Sequence, residues 1–381
     1  MSQVPDVPML DLSPQNGPLL PAIRDAFERV MAKNAFVLGE EVAAFEREIA
    51  AMLGVRHAVG ASSGTDAQLL AMMAAGIGPG DEVITTPFTF FATAGCIARL
   101  GATPVFVDVD PRTYNLDVSK IAAARTPRTK AIAPVHLYGQ PCDMRAMLEV
   151  ARALELPILE DAAQSVLAPA TLDAEGHTAM TGGVGLAGWL SFYPTKNLSA
   201  FGDAGLATTQ DDALAERMRM LRNHGSRVRY HHEAVGGNFR LDGLQAAVLR
   251  VKLPHLAGWT DARRAHAALY DRFFAEAGLP SELVSTPVRL EAGHVYHQYV
   301  IRTARRDALR ARLTESRIGS EVYYPVPLHL QPCFASLRRG VGSFPVAERA
   351  ASEVLALPIY AELTKAQIER VVDTIVRFHR S

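Results

Sequence analysis

The stretch AIAPVHLYGQPCDMRAMLEVARALELPILED, running from Ala131 to Asp161, decides the fold. Residues 131–136 are mostly apolar and read as a buried strand. Residues 144–154 carry apolar side chains at helical spacing, and 157–161 return to a short apolar run. A strand, a helix and a second strand within roughly thirty residues form the unit of a parallel sheet, since parallel neighbours need a crossover. Upstream, 82–86 and 103–108 read as strands with a helix over 90–100 between them. Residues 57–60 read as a strand, and 67–75 as a helix closed by the turn GIGPG at 76–80. Val42, Phe45, Ile49, Met52 and Leu53 recur at helical spacing before Gly54. Downstream, 188–193 and 206–209 read as strands, and 212–223 and 241–253 as helices. The alternation predicts an α/β fold, a mostly parallel sheet flanked by helices.

After Pro254 the texture changes. A helix over 261–275 leads to one β-rich segment, 296–303. A helix over 308–316, a strand over 321–324 and two closing helices follow. The expected organisation is a large α/β domain, 1–253, and a smaller C-terminal α+β domain, 254–381.

Composition narrows the function. The chain has 381 residues, 49% of them apolar, and a net charge of −1. That balance supports a large core and lacks the basic excess of a nucleic-acid binder. Cys96, Cys142 and Cys333 are scattered and form no CxxC pair, so neither a disulfide framework nor a metal site is expected. The first twenty residues carry Asp6, Asp11 and four prolines. They do not read as a signal peptide, and no apolar run is long enough to cross a membrane. A cytoplasmic protein is expected. Lysine is rare: Lys33, Lys120, Lys130, Lys196, Lys252 and Lys365 are the six among 39 basic residues. Any lysine outside an exposed helix is therefore of interest.

Four features fall at strand ends. Ser62-Ser63-Gly64-Thr65-Asp66-Ala67 joins a strand to a helix, and a helix N-terminus with a glycine suits a phosphate. The same residues also read as an ordinary cap, and the Asp66 carboxylate must turn away if only its amide is to face an anion. Phe90 ends TPFTF, where a flat ring could cover a planar cofactor or simply fill core. In PILEDAAQ (157–164), strand alternation sends Glu160 and Asp161 to opposite faces, so at most one points into a site. A buried carboxylate there needs a cationic partner, either an arginine or a protonated pyridine nitrogen. Lys196, in SFYPTKNL, follows an apolar strand, whereas the other lysines are expected at solvent-facing places. Only an amine can form a Schiff base. Together these features match the needs of a pyridoxal phosphate site.

At this point the chain resembles the DegT/DnrJ/StrS family of nucleotide-sugar aminotransferases. The text SSGTDA, GPGDEVITTPFTFFAT, ILEDAAQS, SFYPTKNL with GDAG, GGNFRLDGLQAAVL, YHQYVIR and YYPVPLHLQPCF carries the resemblance. It implies a fold-type I aminotransferase using pyridoxal 5'-phosphate, and a homodimer with shared active sites. It implies that Lys196 carries the Schiff base, Asp161 holds the pyridine nitrogen, Gln164 lies at the ring's oxygen side and Phe90 stacks on the ring. Gly64, Thr65, the Asp66 amide and Ser191 would hold the phosphate, joined by Asn238 from a partner subunit. Arg240, Tyr323 and Tyr324 would line the sugar-nucleotide side. The family often has His at the place of Tyr323, and residues 168–188 are unlike its usual text. The implied reaction moves an amino group, from glutamate, to a nucleotide-linked keto sugar, with DPRTYNLD and RYHH pointing to UDP-linked 3-keto sugar acids and deoxythymidine-diphosphate sugars as the rival. Alternatives are a cyclitol or aminobenzoate-pathway transaminase, a sugar dehydratase, or a non-catalytic regulator. Lys196 speaks against the dehydratase, whose relatives carry His there.

Three further features have plainer readings. GVGLAG at 183–188 fits GxGxxG but lacks a strand before it and a helix after it. Arg222, Arg227 and Arg229, with nearby histidines, read as a basic loop suited to a diphosphate or merely to solvent. His294 and His297 show no metal-ligand pattern.

Overall fold

A computed structural model describes residues 6–380; the first five residues of the N-terminal segment lie outside that range. The strands up to Thr209 are, in chain order, β1 His57–Ala61, β2 Glu82–Thr85, β3 Thr103–Phe106, β4 Thr129–Ile132, β5 Leu159–Asp161, β6 Pro169–Thr171, β7 Thr178–Met180, β8 Ala187–Ser191 and β9 Gly205–Thr209. Two ladders, β1-β9-β8-β5 and β4-β2-β3, join through the parallel bridges Ile132/Ile158 and Val135/Asp161. The sheet order is thus β1-β9-β8-β5-β4-β2-β3. Every strand runs the same way except β9, which is antiparallel to both neighbours. β4 stops short of the expected strand because Pro134 has no N–H to donate. Its carbonyl still accepts from Asp161 N–H at 2.9 Å, which keeps the two halves together.

Helices cover both faces. Trp189 of β8 packs with Leu69, Leu70 and Met72 of helix Gly64–Ala74. Its neighbour Leu190 packs oppositely, with Phe45, Ile49 and Leu53 of helix Glu40–Leu53. Residues 168–188, unlike the family text, form the β6/β7 hairpin and the loop into β8. Beyond β9 come helix Asp212–Arg222, the small hairpin of β10 (Ser226–Val228) and β11 (His231–His232), and helix Gly243–Lys252.

In the C-terminal portion, β12 Tyr299–Arg302 pairs antiparallel with β13 Val354–Leu357. The strand expected over 321–324 is only one bridge, Glu321 to Ala356, since Pro325 and Pro327 follow and offer no ladder donors. The closing region is helix Pro345–Glu353, then β13, then helix Lys365–Arg380, so VLAL is a buried strand rather than part of a helix. Val7 joins this domain's core, bridging Ile318, while Ala26 and Val30 pack on Ala247. The two portions share a cluster containing Phe88, Val135, Phe334 and Phe344. They are also tied by Asp108, whose carboxylate accepts from Val346 and Ala347 N–H at 3.0 and 2.9 Å and caps helix Pro345–Glu353. Among the described residues, no helix is long and apolar enough to cross a membrane.

Candidate active site

The carboxyl ends of β1, β2, β5 and β8 lie along one edge of the sheet, where α/β folds place their ligands. At the end of β1, Ser63 caps helix Gly64–Ala74, its Oγ accepting from Asp66 N–H at 3.0 Å. The Asp66 carboxylate accepts from the Ser62 hydroxyl and so turns off the helix end. The Asp66 amide is thereby taken by Ser63. The Gly64 and Thr65 amides, the first two of the helix, have no acceptor among the described residues. Two glycines shape this cradle. A Cβ on Gly64 would lie 2.6 Å from the Ser191 Cβ, and one on Gly205 would clash with the Ser63 carbonyl.

At the end of β5 the expected split is observed. Asp161 is buried; one oxygen accepts from Thr93 Oγ1 at 2.8 Å and the other from Ala163 N–H at 3.2 Å. Burial, aided by Asp161, pushes the nearby Cys96 thiol up to about 12, so it stays protonated. Glu160 points the other way, into a backbone nest. The amides of Gly182, Val184 and Gly185 donate to it at 2.9, 2.7 and 2.7 Å. Two of them belong to the GxGxxG decoy, which here binds the chain's own carboxylate. His136 completes the nest from 3.1 Å. Its Nδ1 accepts from Cys142 N–H at 3.0 Å, leaving Nε2 as the protonated nitrogen facing Glu160.

Lys196 sits on a turn after β8 whose backbone closes on itself, Lys196 N–H to the Tyr193 carbonyl at 2.8 Å and Ala200 N–H to Phe192 at 2.8 Å. Its side chain is partly buried and makes no hydrogen bond or contact ion pair among the described residues. Burial lowers its ammonium to about 8, with Asp161 opposing the shift. Above about pH 8 the amine is a neutral nucleophile and base. The loop beyond is clamped by helix Gly243–Lys252: Gln245 accepts from Phe201 N–H at 2.8 Å, and Lys252 Nζ donates to Ser199 Oγ at 2.6 Å. Lys252 was expected to face solvent. It is instead fully buried, between the rings of Phe201 and Trp259, and lowered to about 8 by burial.

Gln164 is buried and uses both ends of its amide. Its oxygen accepts from Tyr138 N–H at 2.6 Å and its nitrogen donates to Tyr324 Oη at 2.9 Å. Phe90 is 57% exposed, its ring 6.3 Å from that of Tyr324. It is therefore not core. Tyr323 contributes its carbonyl to the Tyr138 hydroxyl and is half-buried.

Asn238 and Arg240 lie along the outer side of β1, where Ser62 N–H donates to the Phe239 carbonyl at 3.0 Å. Asn238 is exposed, and Arg240 donates to Asn223 Oδ1 at 2.8 Å. The basic loop is smaller than expected. Arg222 is buried at the end of helix Asp212–Arg222, paired with Glu46 at 2.5 Å and bonded to the Gly60 carbonyl. Arg227 pairs with Glu233, and Arg229 lies over Tyr230 on the exposed β10/β11 hairpin. Thr93, three residues beyond Phe90 on the helix from the same strand end, escaped the sequence reading; that spacing was the available signal.

A half-buried lysine, a buried carboxylate and an open amide cradle at one edge of an α/β sheet are what a lysine-centred group-transfer enzyme needs. The chain belongs to the DegT/DnrJ/EryC1/StrS aminotransferase family, whose pattern matches residues 21–376. It is 50% identical to a pleiotropic regulatory protein of Geobacillus stearothermophilus, with 98% of this chain and 99% of that protein covered. It is 44% identical to the UDP-N-acetyl-3-dehydro-alpha-D-glucosamine 3-aminotransferase of Acidithiobacillus ferrooxidans, with 99% of each covered. The crystal structure of S. venezuelae DesV in complex with a ketimine intermediate superposes with a TM-score of 0.94 at 43% identity, covering 99% of this chain and 100% of that one. The fold is fold-type I.

Proposed function

We propose that this aminotransferase moves an amino group from glutamate to a nucleotide-linked 3-keto sugar, with pyridoxal 5'-phosphate as cofactor. The observation that carries the reading is Lys196, without a hydrogen-bond partner among the described residues and lowered by burial to about 8, within the electrostatic reach of the buried Asp161. The residues fit the group: two unpaired amides, from Gly64 and Thr65, sit in a cradle that a Cβ on Gly64 would fill, with Ser191 beside it. When bound, the cofactor supplies an electron sink for the substrate's carbanion. Asp161 balances a ring cation, and Thr93 holds that carboxylate in place. Phe90, exposed at the same strand end, would offer a flat face to the cofactor's ring. Gln164 and Tyr324 form the wall opposite. Lys196 would anchor the cofactor and, once released, its Nζ would carry a proton from one carbon to another within each half-reaction, ending each one as the free amine. Arg240, Tyr323 and Tyr324 face the sugar nucleotide, and Asn238 serves the cradle of a second subunit in a homodimer. The work is done in the cytoplasm. The 3-aminotransferase from Acidithiobacillus supports a UDP-linked sugar, and a relative named dTDP-3-amino-3,4,6-trideoxy-alpha-D-glucose transaminase keeps dTDP-linked sugars in the panel.

A regulatory reading draws on the Geobacillus relative's name. One experiment separates the two. The protein is loaded with pyridoxal phosphate, treated with borohydride and mapped by peptide mass spectrometry. A pyridoxyl adduct on Lys196, lost in Lys196→Ala, is expected, followed by turnover on a keto-sugar panel with glutamate. No adduct, or adducts scattered over several lysines, would favour the regulator.

A further inference from the structure

Lys252 is a second buried lysine, and the reaction above does not use it. It ends helix Gly243–Lys252 and is fully buried. Burying an ammonium costs free energy unless close partners offset it. Among the described residues it makes one hydrogen bond, donating from Nζ to Ser199 Oγ at 2.6 Å. Its other neighbours are ring faces, with Nζ 5.7 Å from the centre of Phe201 and 5.8 Å from that of Trp259. The C-terminal end of its helix also favours a cation. Glu362 is the carboxylate that faces it, and opposes the fall that burial imposes on the ammonium.

Ser199 and Phe201 lie on the arm that returns from the Lys196 turn. The base of that turn is closed by Ala200 N–H, which donates to the Phe192 carbonyl at 2.8 Å. Helix Gly243–Lys252 grips the returning arm with two side chains seven residues apart, a spacing that puts both on one helix face. Gln245 accepts from Phe201 N–H at 2.8 Å and donates to the Phe201 carbonyl at 3.3 Å. Lys252 takes Ser199, two residues earlier. Trp259 belongs to helix Leu256–Ala277, whose Arg263 donates to the carbonyls of Tyr296, His297 and Ile359 at 3.1, 3.3 and 2.9 Å. Lys252 thus stands where the Lys196 loop meets the helix that carries the C-terminal portion. The Lys196 side chain has no hydrogen-bond partner of its own among the described residues, so its backbone must set where its nitrogen lies.

We propose that Lys252 is a positioning residue for Lys196: by its hydrogen bond to Ser199 and its place between Phe201 and Trp259, it fixes the loop that presents the Lys196 amine to the cleft. The inference rests on the catalytic reading of Lys196. It gives the buried charge a role, since an apolar side chain of the same length would fill the space without holding Ser199.

The test compares Lys252→Met, Ser199→Ala and the double variant with wild type, all as full chains. Without cofactor, amide hydrogen exchange is followed by mass spectrometry. Each single variant should speed exchange at the Lys196, Ala200 and Phe201 amides about tenfold, with β5 and β8 unchanged. The double variant should add nothing to either single one, because both remove the same bond. Pyridoxal phosphate is then added, and the adduct on Lys196 is trapped with borohydride at successive times. Its rate of formation should fall about fivefold or more in each variant, because the amine is no longer held in place. Unchanged loop exchange, a rise spread equally over β5 and β8, additive effects in the double variant, or an unchanged trapping rate each overturns the proposal. If Lys252→Met does not fold, Ser199→Ala, which removes only a hydroxyl, decides by the same two readouts. A wild-type chain that forms no adduct on Lys196 sinks the functional reading instead, and the exchange rates still judge the hold of Lys252 on the loop.

Discussion

Glu160 and Asp161 are adjacent, both buried, and opposite in circumstance. Glu160 is saturated by three backbone amides and His136. Asp161 has one hydroxyl and one longer amide bond, and beyond it lie an unpaired amine and two unpaired helix amides. One strand thus holds a finished network on one face and an unfinished one on the other. Finished networks fix a fold. Unfinished ones, when buried, cost free energy that only a ligand or a reaction justifies.

That contrast can be broken at several points. Lys196→Ala should cut turnover by at least about a thousandfold while leaving the thermal midpoint close to wild type. In the wild type, kcat should rise with pH toward about 8, because burial favours the neutral amine that acts as base. Glu160→Leu should do the reverse of Lys196→Ala, orphaning the nest and costing about 3–5 kcal/mol in urea unfolding. Asp161→Asn should lose activity with little change in stability. If both carboxylate variants unfold alike, the distinction between the two faces fails. Gly205→Ala should lower cofactor affinity about tenfold to a hundredfold by crowding the cradle, as read by equilibrium dialysis. Ser63→Ala, which removes only a cap, should cost about 1 kcal/mol in a melt.

Much of this was legible in the chain. Helix Met144–Leu154 matches its expected bounds, because Asp143 caps it and its apolar spacing is clean. The strand-end residues stood out because lysine is rare and the motif text is specific. Other parts needed three dimensions. VLAL at Val354–Leu357 has no periodicity that separates a buried strand from a helix. Lys252 and Arg222 looked like surface charges, yet one is packed between aromatic rings and the other is consumed by Glu46. His297 touches Asn197 a hundred residues away in sequence, a pairing no local pattern announces.

The position of β9 has a consequence for how the chain assembles. β1, which leads into the cradle, has β9 as its ladder partner, His57 opposite Thr209, and a single bridge from Ala61 to Arg240 on its other side. A nascent chain emerging from the ribosome therefore makes Gly64 early but has no neighbour for that strand until about 150 more residues have been synthesised. The cradle is translated well before the strand that fixes its base.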